Sequence, residues 1–151
     1  MSLKEQIRSQ LKDAVKSKNK TESLVLRSLI AEINLKEIEL KKKEEGLSDI
    51  EIEQAVLREI KKCRDAIEQY KNGNRNDLVE KEEQEVQILN KFAPEMIDET
   101  ELKVLVDGII NELGAETIND MGRVMSAVMQ KVGNKANGSL VNRLVREKLD
   151  S

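Results

Sequence analysis

The sequence predicts an all-α protein, built as an N-terminal helical bundle followed by a smaller C-terminal helical domain. Charged residues make up 36% of the 151-residue chain and aromatic residues 1%, a composition typical of long charged helices and poor for β-sheet formation. The net charge is only −3, and apolar residues recur with helical periodicity, so the chain is expected to fold rather than stay disordered.

Four helices are predicted in the N-terminal domain, residues 1–93. The first and third begin at capping boxes, Ser2 with Glu5 and Ser48 with Glu51. The second carries apolar residues on more than one stripe, so it is expected to be the central helix, packed on two sides. The four helices are expected to span about residues 2–18, 21–45, 48–73 and 76–90.

A domain boundary is predicted at Pro94, the only proline, which interrupts the helical pattern. The C-terminal domain, residues 94–151, is expected to hold three helices. Asp98, three residues before Glu101, is a plausible N-cap for the first of them. The three helices are expected to span about residues 98–113, 119–132 and 138–149.

Charge is segregated along the chain. Residues 94–120 carry one lysine against eight acidic residues, a net charge of −7, whereas residues 121–151 carry six basic residues against two acidic ones, a net charge of +4. Residues 1–20 carry six basic residues against two acidic ones, again +4. Because a local basic face can bind a polyanion on a mildly acidic protein, the net charge of the whole chain says little about its partners.

The sequence contains no histidine, which removes the commonest general acid–base group and, with it, the usual Ser–His and Cys–His nucleophile systems. The single cysteine, Cys63, lies in an apolar helical stripe and is interpreted as a buried core residue. Glu80, Glu82, Glu83 and Glu85 are interpreted as a solvated face rather than a cation site, since consecutive helical positions point in different directions. We therefore predict no catalytic residue, no metal site and no cofactor.

Residues 133–139 contain two glycines separated by four residues, as in a phosphate-binding P-loop. That motif requires Lys and then Ser or Thr after the second glycine, whereas Ser139 and Leu140 stand there, and no predicted strand precedes the segment. The simpler interpretation is a turn between helices. The functional interpretation is an anion site in which the loop amides and the following helix N-terminus act together with Lys131, Lys135 and Arg143.

A second basic pattern lies on the first helix. Four basic residues stand four apart there, a spacing more typical of solvated surface than of a binding site: Lys4, Arg8, Lys12 and Lys16. Because this stripe offers only mobile side-chain charge, the C-terminal turn is the preferred site for a polyanion.

No stretch of the sequence approaches the roughly 20 apolar residues of a transmembrane helix, and no secretory signal opens it, so no membrane association is expected. A single cysteine cannot form an internal disulfide, which favours a cytoplasmic location.

Several short motifs, in order along essentially the whole chain, resemble the YqeY family. They lie at residues 25–29, 59–69, 74–78, 81–82, 92–95, 120–125, 128–132 and 135–141. This chain departs from the usual family turn by having Asn134 where glycine is common and Asn137 where aspartate is common.

The YqeY family is similar to the tail of the GatB subunit of glutamine-dependent aminoacyl-tRNA amidotransferase, which is helical and helps to hold tRNA. The resemblance implies a non-catalytic accessory protein that binds tRNA or another structured RNA through its C-terminal domain, with a possible protein partner in translation. The expected RNA-binding residues are Lys131, Lys135, Arg143 and Arg123.

Two other functions remain open. One is a carbon–nitrogen ligase activity with glutamine as amide donor, although the catalytic parts of the amidotransferase lie outside its tail. The other is a helical protein–protein interaction module.

Overall fold

The computed structural model describes residues 1–150, and within that range the chain forms helices and no strand, which confirms the all-α prediction. Short 3₁₀ turns, Ile118–Asp120 and Gly133–Lys135, precede and follow the sixth α-helix. The α-helices are α1 (Leu3–Lys16), α2 (Lys20–Glu39), α3 (Asp49–Asn72), α4 (Asn76–Asn90), α5 (Glu99–Leu113), α6 (Met121–Val132) and α7 (Gly138–Asp150).

The chain divides into two compact units, Met1–Ala93 and the segment that begins at Pro94. The first contains α1–α4 and the second α5–α7. None of these helices is long and apolar enough to cross a membrane, as judged over residues 1–150.

Three helices begin at the side-chain caps that the sequence predicts. Ser2 and Ser48 each accept a hydrogen bond from a backbone N–H three residues later and form complete capping boxes. Asp98 caps α5 by accepting from the Glu101 N–H at 2.8 Å. Asn19 caps α2 in the same way, which moves its start to Lys20. Each cap satisfies a backbone donor that would otherwise lack a partner.

Four helices end in a residue with left-handed backbone conformation, and only one of these residues is glycine. The residues are Lys18, Lys41, Asn74 and Gly114, with φ of 60°, 58°, 57° and 62°. In each case the following residue donates its N–H to a carbonyl five residues back, which is the Schellman arrangement. Lysine at such a position is strained, because its Cβ crowds the backbone.

The predicted end of α2 at residue 45 is wrong, because the helix ends at Glu39. Lys41 takes the left-handed conformation, and the Lys42 N–H donates to the Glu37 carbonyl at 2.8 Å. No glycine marks this end in the sequence, so the helical pattern continues past it when read along the chain. Gly46, which directly follows the predicted end, lies in the loop before α3 with φ of 76°.

The core of the first unit lies between α2 and the other three helices, all of which pack against it. Apolar side chains from every helix and from the loop after α4 fill it: Ile7, Leu26, Leu29, Ile33, Ile52, Val56, Ile60, Leu89 and Phe92. The prediction that α2 is packed on two sides is wrong for its second apolar stripe, because Leu24, Leu35 and Ile38 are exposed. One face of the central helix is therefore open.

Two buried carboxylates in α2 have polar partners that compensate their burial. Glu37 forms an ion pair with Lys4 of α1. Glu22 accepts hydrogen bonds from Gln10 at 2.8 Å and from Lys91 at 3.4 Å. Because unpaired buried charges are strongly disfavoured, these contacts fix α1 and the end of α4 against α2.

The second unit has a core of its own, formed by one face from each of α5, α6 and α7. Its fully buried side chains are small branched residues, above all valines, so the three helices pack closely. They are Leu102, Val106, Val124, Val128, Val141 and Val145.

Candidate nucleic-acid interface

The turn between α6 and α7 has a defined backbone conformation. Gly133 follows α6 with φ of 54° and ψ of −124°, a backbone conformation in which a residue with a Cβ atom would be strained. A 3₁₀ turn then leads to the buried Ala136. The Lys135 carbonyl accepts a hydrogen bond from the Ile97 N–H at 2.8 Å, within the same unit. The backbone that carries Lys135 is therefore held by this hydrogen bond and by the buried Ala136 next to it.

The N-terminus of α7 directly follows this turn. The Asn137 side chain accepts from the Ser139 N–H at 2.8 Å, so asparagine still caps the helix where aspartate is common in the family. The Gly138 and Leu140 N–H groups have no acceptor within residues 1–150. Because asparagine is uncharged, the cap leaves the positive end of the helix dipole unneutralised. This end of α7 can donate hydrogen bonds to an anion.

The four expected RNA-binding residues fall into two groups. Lys131 and Lys135 are exposed and form no ion pair within residues 1–150. Arg143 pairs with Glu99 at 2.5 Å, and Arg123 pairs with Asp120 at 3.1 Å. Both arginines are more than half exposed, so these surface pairs are weak and exchangeable. The two lysines carry the uncompensated charge at the turn.

Arg123 also has a structural role through its partner. Asp120 accepts the N–H groups of Glu116 and Thr117, at 2.9 and 3.3 Å, and so closes the loop before α6. These two backbone hydrogen bonds, followed by the Arg123 pair, hold the pKa of Asp120 below its ordinary value. Arg123 thus stabilises the carboxylate that orders this loop.

Among the exposed cations that were not expected to bind RNA, Arg146 is the one next to Arg143 on the same helix face. Arg146 lies three residues after Arg143 on α7 and forms no ion pair within the described part of the chain. Residues three apart share a helix face, and this spacing is the sequence signal that would have added Arg146. It lies eight residues beyond Gly138, about 12 Å along the axis, and so extends the basic face away from the turn.

The basic stripe of α1 is only partly available. Lys4 is committed to Glu37. The remaining three residues are exposed and unpaired within residues 1–150: Arg8, Lys12 and Lys16. They provide a matched set of surface charges against which the turn can be tested.

Cys63 lies in a polar cluster on the first unit. Its thiol donates to Glu85 at 3.7 Å, and one ligand-type atom from each of Cys63, Glu82 and Glu85 lies within 4.8 Å of the others. The interpretation of the α4 acids as a uniformly solvated face is therefore wrong for Glu82 and Glu85. Burial, followed by the neighbouring carboxylates, raises the pKa of Cys63 to about 12. At neutral pH the residue is a thiol, which is a poor nucleophile.

These features define a class: a two-unit helical protein whose second unit presents a basic turn at a helix N-terminus. A family model described as Yqey-like protein matches residues 4–149, so the chain belongs to the YqeY family, as its motifs predicted.

Curated relatives are fungal proteins. The chain is 29% identical over 145 residues to altered inheritance of mitochondria protein 41, mitochondrial, of Pyrenophora tritici-repentis, covering 93% of this chain and 77% of that protein. It is 28% identical over 109 residues to the protein of the same name in Lachancea thermotolerans, covering 71% and 57%. An uncharacterised protein of Schizosaccharomyces pombe is 36% identical over 89 residues, covering 59% and 70%. These names state neither a ligand nor a reaction.

Proposed function

We propose that this YqeY-family chain is a non-catalytic accessory protein that binds tRNA or another structured RNA through the turn between α6 and α7. The observation that carries the proposal is a pair of exposed, uncompensated cations, Lys131 at the end of α6 and Lys135 on the turn that leads into the open amides of α7. Lysine side chains, backbone N–H groups and helix N-termini are the groups that contact nucleic-acid phosphates.

The composition of the second unit favours a structured RNA. Residues 94–151 contain no aromatic residue, whereas recognition of single-stranded bases generally depends on aromatic stacking. A surface of lysine, arginine and amides instead contacts the backbone of a folded RNA and positions it without reading sequence. A tRNA satisfies this requirement in the cytoplasm and in mitochondria alike, so the proposal holds in either compartment.

The test is tRNA binding by filter retention over a series of KCl concentrations. The double variant Lys131→Ala/Lys135→Ala should weaken binding and reduce the slope of log affinity against log salt by about 1.5, at roughly 0.7–0.9 per lost phosphate contact. Arg143→Ala should have a smaller effect, because Glu99 already neutralises that residue. Lys12→Ala/Lys16→Ala removes the same charge from α1 and is the matched control.

Two results would contradict the proposal. If the turn variant keeps its affinity and slope while the α1 variant loses both, the RNA site lies in the first unit. If the wild-type chain binds neither tRNA nor total cellular RNA at low salt, the RNA function itself is wrong.

The non-catalytic part of the proposal has its own test. Pure protein is incubated with glutamine, ATP and mischarged tRNA, and the amidated product is counted. We expect none above background. Product in molar excess over protein would show turnover and establish the carbon–nitrogen ligase alternative.

A further inference from the structure

The open face of α2 carries an apolar seam with no counterpart inside the first unit. Leu24, Leu35 and Ile38 are 64%, 50% and 61% exposed, and Ser28 and Ala31 between them are also exposed. The five positions are separated by four, three, four and three residues. This alternation averages 3.5 residues and is the spacing of the contact seam in a two-stranded coiled coil.

The seam is separate from the face that α2 uses in its own unit. The buried stripe of the helix contains Leu26, Leu29 and Ile33, which face α1, α3 and α4. On a chain in which 36% of residues are charged, a row of three exposed large apolar side chains, separated only by the small residues Ser28 and Ala31, marks an interaction surface. Its regular heptad spacing points to another helix as the occupant.

Charges along the two edges of the seam indicate which helix packs against it. One edge carries Arg27 and Asn34, and the other carries Glu32 and Glu39. In a parallel pair of α2 helices, each edge faces the opposite edge of the partner, and Arg27 of one copy meets Glu32 of the other, five residues further along. In an antiparallel pair, each edge would face the same edge of the partner, so the two acidic edges would lie together and repel each other. Arg27 and Glu32 form no ion pair within residues 1–150, so both are available.

The middle of the seam suits close contact between identical helices. Ser28 and Ala31 are small and allow the two backbones to approach, while Leu24, Leu35 and Ile38 supply the apolar area at either end. The seam spans 15 residues, about 22 Å of helix. This is short relative to a standard protein interface, so the association should be reversible and concentration-dependent in the micromolar range.

We propose that the α2 seam is a self-association surface on which a second copy of this chain packs in parallel, with Arg27 of each copy paired with Glu32 of the other.

Sedimentation velocity of the full chain from about 1 to 500 µM tests association. Wild type should shift from monomer to dimer across this range. Leu35→Glu should weaken the dimer at least 100-fold, because it places a charge in the seam of each copy. Val104→Glu, at an exposed apolar position on α5, should leave the dimer unchanged. Circular dichroism checks that both variants remain helical. A wild-type chain that stays monomeric throughout would overturn the proposal and assign the seam to a different occupant.

A charge exchange tests the pairing. Arg27→Glu and Glu32→Arg should each weaken the dimer several-fold, because each places like charges opposite one another. The double variant should recover wild-type affinity, since it reverses the pair. If the double variant is as weak as the two single changes combined, the edges do not meet and the parallel arrangement is wrong.

An orientation test uses Ala31→Cys. In a parallel pair the two introduced thiols face each other and should form an intersubunit disulfide on mild oxidation. In an antiparallel pair each introduced cysteine faces Ser28 of the partner, so the Cα atoms of the two cysteines lie farther apart than the ~7 Å that a disulfide tolerates. Cys63 is buried and should not compete. A variant that dimerises without crosslinking would overturn the parallel arrangement.

Discussion

Lys4 on α1 and Glu37 on α2 form an ion pair in which the Glu37 side chain is only 5% exposed. The pair joins two consecutive helices through residues that are 33 positions apart in sequence. It removes one member from the basic stripe of α1 and makes that residue part of the structure.

Removing one residue of the Lys4–Glu37 pair should lower the free energy of unfolding far more than removing both. Lys4→Met leaves a buried carboxylate unpaired and should lower the free energy of unfolding by about 2 kcal/mol, whereas Lys4→Met/Glu37→Met should lie within about 1 kcal/mol of wild type. Arg8→Met, on the same helix and unpaired, is the control and should change little. Urea denaturation followed by circular dichroism measures all four proteins. Equal costs for the single and double variants would show that the pair contributes only surface charge.

Glycine should relieve the strain at the end of α2. Lys41 has φ of 58°, a conformation that glycine reaches freely, so Lys41→Gly should raise the free energy of unfolding by about 0.5–1 kcal/mol. Lys43→Gly makes the same change at a negative φ and should be neutral or destabilising. Thermal denaturation compares the two variants. A loss of stability in both would mean that the Lys41 side chain contributes more than its backbone strain removes.

Glu85 should make the first unit less stable as pH rises. Burial, followed by the charge of Glu82, raises the pKa of Glu85 above its ordinary value of 4.5. The folded state therefore binds this proton more tightly than the unfolded state, and the resulting stability is present below about pH 4.5 and lost as pH rises through the raised pKa. Glu85→Gln should gain roughly 0.5 kcal/mol over wild type at pH 7, a small value because the residue is only half-buried and solvent screens its charge.

The pH dependence separates this effect from a change in packing. The advantage of Glu85→Gln should shrink as the pH falls toward 4, where the wild-type carboxyl is neutral. Glu83→Gln, at an exposed position on the same helix, should show no such dependence. Urea denaturation at a series of pH values measures both variants, and a pH-independent gain for Glu85→Gln would contradict the titration.

The two units should separate on proteolysis. Residues 94–98 lie outside the helices, and Glu95 is exposed, so a glutamate-specific protease should cut there, as well as at the exposed loop residues Glu44 and Glu45. Each unit has its own core, so the fragments should remain helical and unfold independently. Resistance at Glu95, or fragments that unfold on separation, would indicate a single cooperative unit.

The helix starts were predictable because capping chemistry is local. Ser48 and Glu51 stand three residues apart in the sequence, and that spacing alone places the cap of α3. The end of α2 was not predictable, because Lys41 adopts a conformation that lysine rarely takes. Leu35 could not be recognised as exposed, because two apolar stripes on one helix look alike until the neighbouring helices are placed.

The charges at the candidate interface were likewise only partly predictable from the sequence. The exposure of Lys135 follows from its position in a polar turn, and that of Lys131 from its place on the polar face at the end of α6, and the sequence indicates both. The Arg143–Glu99 pair joins residues 44 positions apart, so only the folded second unit distinguishes a compensated arginine from an uncompensated lysine.

The hydrogen bond from the Ile97 N–H to the Lys135 carbonyl provides an internal reporter. Ile97 lies in the segment through which the chain enters its second unit, and its amide proton points at the backbone of the residue that is expected to hold a phosphate. An anion that tightens the turn should slow the solvent exchange of this proton and shift its resonance. One NMR signal, from a residue that touches no ligand, would then follow occupancy of the site.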